Sequence, residues 1–436
     1  MSSLTPALPV PARIRARSLL ASALLAGLVV TTAAFGLLAA SPGHMLIRNP
    51  GRVVLPDWFT GPLADLQLHT TAGREAWALI AICAAYLAIL PLAGRLRPRH
   101  VIAAIVGLNI LFALAPPLLS SDVFSYIAYG RIGALHGLDP YRVTPAMIHH
   151  DPVYDFVGWR HIPSIYGPLF TVGSYPIGLL SVPAALWSFK ALACISCLVL
   201  TGLVWKLAEQ FGRSGPAAAA TFGLNPIVLI WAVGGAHNDL LMLAVLFAGL
   251  VLIMGERAIA GGAALGAAVA IKITAGLALP FVLIGDRRRL RVLAGFAACA
   301  AVSAALAFLV FPDHAVNLIQ TYKLEQRLVA LHSIPNELTN LFGPARLTVN
   351  GHRIAQALFL IAIAWTLVRV VRTRDWVGTC GWAMVALVAT SPWFVPWYSM
   401  WPLPFAAVSR DRRLLVATLA LQAFAIGNVL PKLLGQ

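Results

Sequence analysis

One loop concentrates residue types that can move protons: Ser120-Ser121-Asp122-Val123-Phe124-Ser125-Tyr126-Ile127-Ala128-Tyr129-Gly130-Arg131. A carboxylate there can accept a proton from a hydroxyl, and Asp122 and Tyr126 share a face at i,i+4 if the stretch is helical. The competing reading is structural: Ser120 or Ser121 caps the helix and Asp122 favours its positive end. Farther on, Gly137-Leu138-Asp139-Pro140-Tyr141-Arg142 forms a turn, and Ile165-Tyr166-Gly167-Pro168 marks the start of another helix. His149-His150-Asp151 has the residue types of a metal site, but neighbouring side chains in an extended segment point opposite ways, so no metal is expected. His237-Asn238-Asp239 either caps a helix or holds sugar hydroxyls by paired hydrogen bonds. Lys272, between two short apolar arms, either snorkels to an interface or meets a lipid phosphate. Trp393, Trp397, Tyr398 and Trp401 crowd a segment broken by Pro392, Pro396 and Pro402. They form either an interfacial aromatic belt or a surface for a sugar or a prenyl chain.

The elements that must position these residues are transmembrane helices. Of 436 residues, 59% are hydrophobic and only 11% charged, against about 25% charged in a soluble domain. Apolar stretches of spanning length recur from end to end. We place spans near 18–40, 75–94, 101–119, 186–208, 216–233, 239–254, 258–271, 273–285, 292–311, 354–371, 377–393, 398–409 and 414–431. Those at 258–271, 273–285 and 398–409 are short enough to be half-helices buried in protein. The first span, preceded by Arg13, Arg15 and Arg17, reads as retained, with a cytoplasmic N-terminus. The five cysteines lie in apolar segments, and no disulfide is expected. The net charge of +16 does not indicate nucleic acid, because the basic residues sit in short runs at the ends of apolar segments.

Those runs orient the chain. If 169–185 is a helix that dips without crossing, one face receives 19 of the 32 Lys and Arg residues but only five of the 16 acidic ones. By the positive-inside rule that face is cytoplasmic. The other face holds three long loops, about 41–74, 120–167 and 312–353, and ten of the eleven histidines. Residues 123–135 read as an amphipathic helix lying at this outer interface.

Asp122-Val-Phe-Ser-Tyr126, Tyr129-Gly-Arg131, Asp139-Pro-Tyr141 and Tyr166-Gly-Pro168 resemble the bacterial polyprenol-phosphate-mannose-dependent α-mannosyltransferases of the GT-C superfamily, the α-1,6-mannosyltransferase group above all. Gly234-Gly-Ala-His237-Asn238-Asp239, Lys272-Ile-Thr-Ala-Gly and Ser391-Pro-Trp-Phe-Val-Pro396-Trp397-Tyr398 add to the resemblance, which spans about residues 100–410. The chain departs from the pattern in inserting Ala236 before His237. The resemblance implies an all-α, GT-C type membrane protein of about 13 transmembrane helices plus interfacial helices, a single unit over 1–436. It implies Asp122 as the catalytic base and an inverting transfer from a β-linked donor. The remaining site candidates, for donor or acceptor, are Tyr126, Arg131, Asp139, Tyr141, Tyr166, His237, Asn238, Asp239, Lys272, Trp397 and Tyr398. Arg131 or Lys272 would neutralise the leaving phosphate. The expected partners are a polyprenyl-phosphate sugar, a glycan or glycolipid acceptor and membrane lipids, but no nucleic acid. A monophosphate leaves with less charge than a pyrophosphate, so no metal or other cofactor is expected. The expected location is the bacterial cytoplasmic membrane with the site on the outer face. The rival reading is a lipid or sugar transporter or flippase. Ion-coupled carriers place carboxylates mid-span, and here Asp239 and Glu75 sit at span ends.

Overall fold

The computed structural model describes residues 12–39, 55–66, 68, 70–311, 328–341 and 349–433. Much of the first and third long loops, and residues 1–11, lie outside the described residues. The described chain is helical, without strands. Its main helices are α1 (Ala12–Leu38), α2 (Ala72–Ile89), α3 (Pro98–Leu114), α4 (Asp122–Ala134), α5 (Pro168–Gly173), α6 (Val182–Gln210) and α7 (Gly215–Gly223). They continue with α8 (Asp239–Met254), α9 (Ala258–Ile271), α10 (Arg289–Val310), α11 (Ile334–Asn340), α12 (Val349–Thr373), α13 (Trp376–Thr390) and α14 (Arg412–Gly427).

Among the described residues, five helices are long and apolar enough to cross a membrane alone, or six if one bent pair counts as a span. The thirteen expected spans are therefore met only in part, and proline explains several of the differences. Pro116 and Pro117 end α3 at Leu114, short of the expected residue 119. The expected span 216–233 is bent by 53° between α7 and a π-helix at Ile227–Val233. Pro226 breaks it, and buried Asn225 repairs the break: its Oδ1 accepts from the N–H groups of Ile227 (3.0 Å) and Val228 (3.3 Å), while its amide donates to Gln422 (2.7 Å). The 273–285 and 398–409 segments are each a 3₁₀ turn followed by a short helix, with prolines at or near the helix starts.

Two expectations for the long middle loop change. Residues 169–185 do not form one helix; α5 gives way to a second short turn at Tyr175–Gly178, and α6 starts anew at Val182. The helix expected at 123–135 exists as α4, but most of its length leaves no face open. Every residue from Val123 to Ile132 is buried, so α4 runs through protein on all sides.

The helices run between two chemically different ends. At one, Arg410 donates to the Phe211 carbonyl (2.9 Å), Arg288 to the Ile253 carbonyl (2.6 Å) and Arg369 to Asp411 (2.8 Å). Arginine donors there satisfy carbonyls at or near the C-terminal ends of α6 and α8. At the other end, the C-terminus of α3, the N-termini of α4 and α8, the C-terminus of α9 and the Pro396–Met400 turn converge.

Candidate active site

The chain between α3 and α4 is shaped by its prolines. Phe112 would ordinarily give its carbonyl to the N–H four residues on, but residue 116 is proline and has none. Lys190, fully buried in α6, fills the vacancy: its ammonium donates to the carbonyls of Phe112 (2.7 Å) and Gly234 (2.8 Å), with Pro116 at 3.4 Å. The Leu118 N–H also bonds the Gly234 carbonyl (3.1 Å). One buried cation thus ties the chain ahead of Asp122 to the turn ahead of His237. Leu119 then takes a left-handed φ of 59°, and α4 begins. Ser121 sits at the N-cap but makes no side-chain cap bond; Ser120, one residue earlier, accepts instead from the Asp122 N–H (3.2 Å) through its Oγ.

Asp122 itself is turned to other partners. Trp159 Nε1 donates to its Oδ1 at 2.9 Å. Its Oδ2 lies 3.7 Å from His237 Nδ1, too far for a hydrogen bond. The inserted Ala236 takes a left-handed φ of 56° while buried. A non-glycine residue held there stores strain, of the kind that collects at functional turns. His237 stacks on Trp397 with centroids 3.8 Å apart. Among the described residues, both ring nitrogens of His237 and both side-chain polar atoms of Asn238 are buried without a hydrogen-bond partner. Asn238 occupies the N-cap of α8, but its side chain makes no cap bond. A cap does not account for this triplet; a cluster of unsatisfied polar atoms indicates a place for a polar ligand.

Asp239 Oδ1 accepts from Lys272 Nζ (2.7 Å) and Trp401 Nε1 (2.8 Å). The ammonium also lies 4.8 Å from the Tyr398 ring centroid and 5.2 Å from that of Trp401. Lys272 thus snorkels nowhere; it is buried against a carboxylate and two aromatic faces. Tyr166 is brought alongside by a close backbone approach, where the Gly167 N–H bonds the Ile271 carbonyl (3.0 Å) and a Cβ at Gly167 would sit 2.1 Å from Ala270 O. These groups line one cavity with Tyr126, Tyr129, Trp159 and Trp393; it holds about 40 Å³ of free space.

The expected residues Asp122, Tyr126, Tyr166, Asp239, Lys272, Trp397 and Tyr398 therefore meet at one cavity, with His237 and Asn238 packed behind it. Three do not. Arg131 is held by Asp151 (2.8 Å) and by the carbonyls of Gly178 and Leu180, so it braces the loop and does not line that cavity. Asp139 accepts from the Tyr141 N–H (2.8 Å) and shapes the turn. Tyr141 donates to the Tyr166 carbonyl (2.8 Å) and packs its ring on Phe311, supporting the site from behind. In this loop, burial raises the Asp151 pKa, but bonds from Arg131, the Val153 N–H and His136 outweigh it and hold the carboxyl below its ordinary range. Sequence reading missed Trp159 and Lys190. Nothing marks Trp159 among twelve tryptophans, whereas a lysine inside an apolar helix, well away from its ends, is a signal that was available.

The model of the alpha-(1->6)-mannopyranosyltransferase N-terminal domain matches residues 19–285, and that of the MptB C-terminal domain matches residues 345–433. The chain belongs to the alpha-(1->6)-mannopyranosyltransferase family. Alpha-(1->6)-mannopyranosyltransferase A of Mycobacterium tuberculosis is 30% identical over 335 residues, 70% of this chain and 64% of that protein. Its Corynebacterium glutamicum namesake is 34% identical over 177 residues, 39% of this chain and 35% of that protein. Alpha-(1->6)-mannopyranosyltransferase B of Corynebacterium glutamicum is 28% identical over 145 residues, 31% of this chain and 24% of that protein. The chain thus spans just under two thirds of the first relative's length. Both matched stretches line the cavity: the first carries Asp122, Asp239 and Lys272, the second Trp393, Trp397 and Tyr398.

Proposed function

We propose that the chain is an integral-membrane mannosyltransferase. It moves mannose from a polyprenyl-phosphate donor to a hydroxyl of a glycan or glycolipid at the outer face of the bacterial cytoplasmic membrane. The observation that carries the reading is a carboxylate, Asp122, sharing one aromatic-walled cavity with a buried lysine, Lys272. The base and the phosphate cation of such a transfer need that arrangement. The segregation of arginines to the opposite end of the helices supports the outward assignment.

In the proposed step the acceptor oxygen attacks the anomeric carbon and gives its proton to Asp122. The bond from that carbon to the phosphate oxygen breaks, and polyprenyl phosphate leaves against Lys272. The attack comes from the face opposite the leaving group, so the configuration inverts. Trp159 holds one Asp122 oxygen by its indole N–H, which leaves the other to take the proton. His237, Asn238 and the free oxygen of Asp239 supply unsatisfied polar atoms for sugar hydroxyls. Purified protein in liposomes should transfer labelled mannose from polyprenyl-phosphate mannose to an alkyl α-mannoside. Failure with this and other polyprenyl-linked sugars would reject the reading.

A further inference from the structure

A second, larger cavity lies on the other side of Asp122. It holds about 530 Å³, within the range of about 300–1,000 Å³ of small-molecule sites. The two cavities share Asp122, Trp159, Trp393, Val395 and Trp397 as a common wall. Their remaining linings differ in chemistry. The small cavity carries the Lys272–Asp239 pair. The large one has no lysine or arginine among its described lining residues; its polar groups are Ser120, Ser121, Trp159, His332 and Asn428. A phosphate needs a cation, whereas a neutral pyranose is held by aromatic faces and uncharged hydrogen-bonding groups.

We infer that the large cavity is the acceptor subsite and takes the terminal, uncharged hexopyranose of the glycan acceptor. Resting on the reading above, this divides the site: phosphate-linked donor on the Lys272 side, acceptor on the Asn428 side, with Asp122 at the junction. The ring lies against Trp393, which packs edge-on to Trp159 at 5.4 Å. Its hydroxyls meet Asn428 and His332. These two are already set: the Asn428 amide donates to the His332 carbonyl (3.3 Å), and His332 Nδ1 bonds Glu337 (2.9 Å). Placing the acceptor here brings its attacking hydroxyl to Asp122 from the side away from Lys272, the direction an in-line displacement requires.

Two measurements on Asn428→Ala and His332→Ala in the full chain test this. The first follows intrinsic tryptophan fluorescence on titration with an alkyl α-mannoside without donor. Wild type should bind saturably, and each variant should bind roughly tenfold more weakly, the loss of one hydrogen bond. This readout stands even if no transfer is found. The second is steady-state transfer with both substrates varied. The acceptor KM should rise by a similar factor in both variants, with the donor KM unmoved, whereas Lys272→Met should raise the donor KM. No mannoside binding to wild type, or variants that change only the donor KM, would overturn the assignment.

Discussion

Replacing Lys190 with methionine separates positioning from chemistry. Methionine keeps the length and apolar stem of the side chain and removes the ammonium that bridges Phe112 and Gly234 at 2.7 and 2.8 Å. The Gly234 carbonyl keeps the Leu118 N–H, but the Phe112 carbonyl loses its bond, and Pro116 cannot replace it. An orphaned buried carbonyl costs about 1–3 kcal/mol. Against this, the variant no longer desolvates an ammonium, a penalty of several kcal/mol. The two terms oppose each other, so net stability should change by no more than about 3 kcal/mol. The effect on turnover is larger, because the clamp sets where Asp122 stands relative to the His237 turn. Misplacing a reacting group by ~1 Å can cost roughly 10²-fold. Lys190→Met should therefore fold, bind both substrates with little change in KM, and lose about 10- to 100-fold in kcat. The assay is mannosyl transfer in liposomes at saturating donor and acceptor, beside thermal unfolding in detergent. A folded variant with wild-type kcat would refute the clamp, as would a change confined to KM.

Lys272→Met strands the buried Asp239 carboxylate and should destabilise the protein by about 3–5 kcal/mol; adding Asp239→Asn should restore the melting temperature but not the donor KM. Gly167→Ala forces a Cβ to within 2.1 Å of the Ala270 carbonyl, so transfer and melting temperature should both fall. Asp151 has a lowered folded-state pKa, so its stabilisation is complete above the ordinary carboxylate pKa of about 3.9 and drains away as pH falls through the lower folded value. Tryptophan fluorescence against pH should show that acid-dependent loss in wild type and its absence in Asp151→Asn, which should already be less stable at neutral pH.

The parts of this architecture legible in the sequence were those set by local rules. Asp239–Met254 and Ala258–Ile271 begin and end where the apolar runs do. The misreadings have tertiary causes. Helix α4 reads as amphipathic from the spacing of Val123, Phe124, Ile127, Ile132 and Leu135, which does not show what covers its polar side. Protein covers it, with Arg131 against Asp151 and Tyr126 edge-on to Tyr166. Spacing along the chain places Arg131 near Asp122 but does not show that a carboxylate twenty residues on holds it in the loop, outside the cavity. Trp159 depends on a fold of the loop that brings residues 37 positions apart together, and no local pattern announces such a contact. Lys190 was different: its place in the apolar interior of a helix carried the signal, and the missing N–H of Pro116 supplied the reason.

The central claim is that Asp122 is the base of a mannosyl transfer. Asp122→Asn keeps the shape of the side chain and an oxygen for the Trp159 N–H, and removes the ability to take a proton. Transfer of labelled mannose from polyprenyl-phosphate mannose to an alkyl α-mannoside, measured in liposomes with equal amounts of folded protein, decides it. The account predicts that the variant still binds the mannoside while transfer falls by about 10²-fold or more. Transfer at the wild-type rate by Asp122→Asn would contradict it.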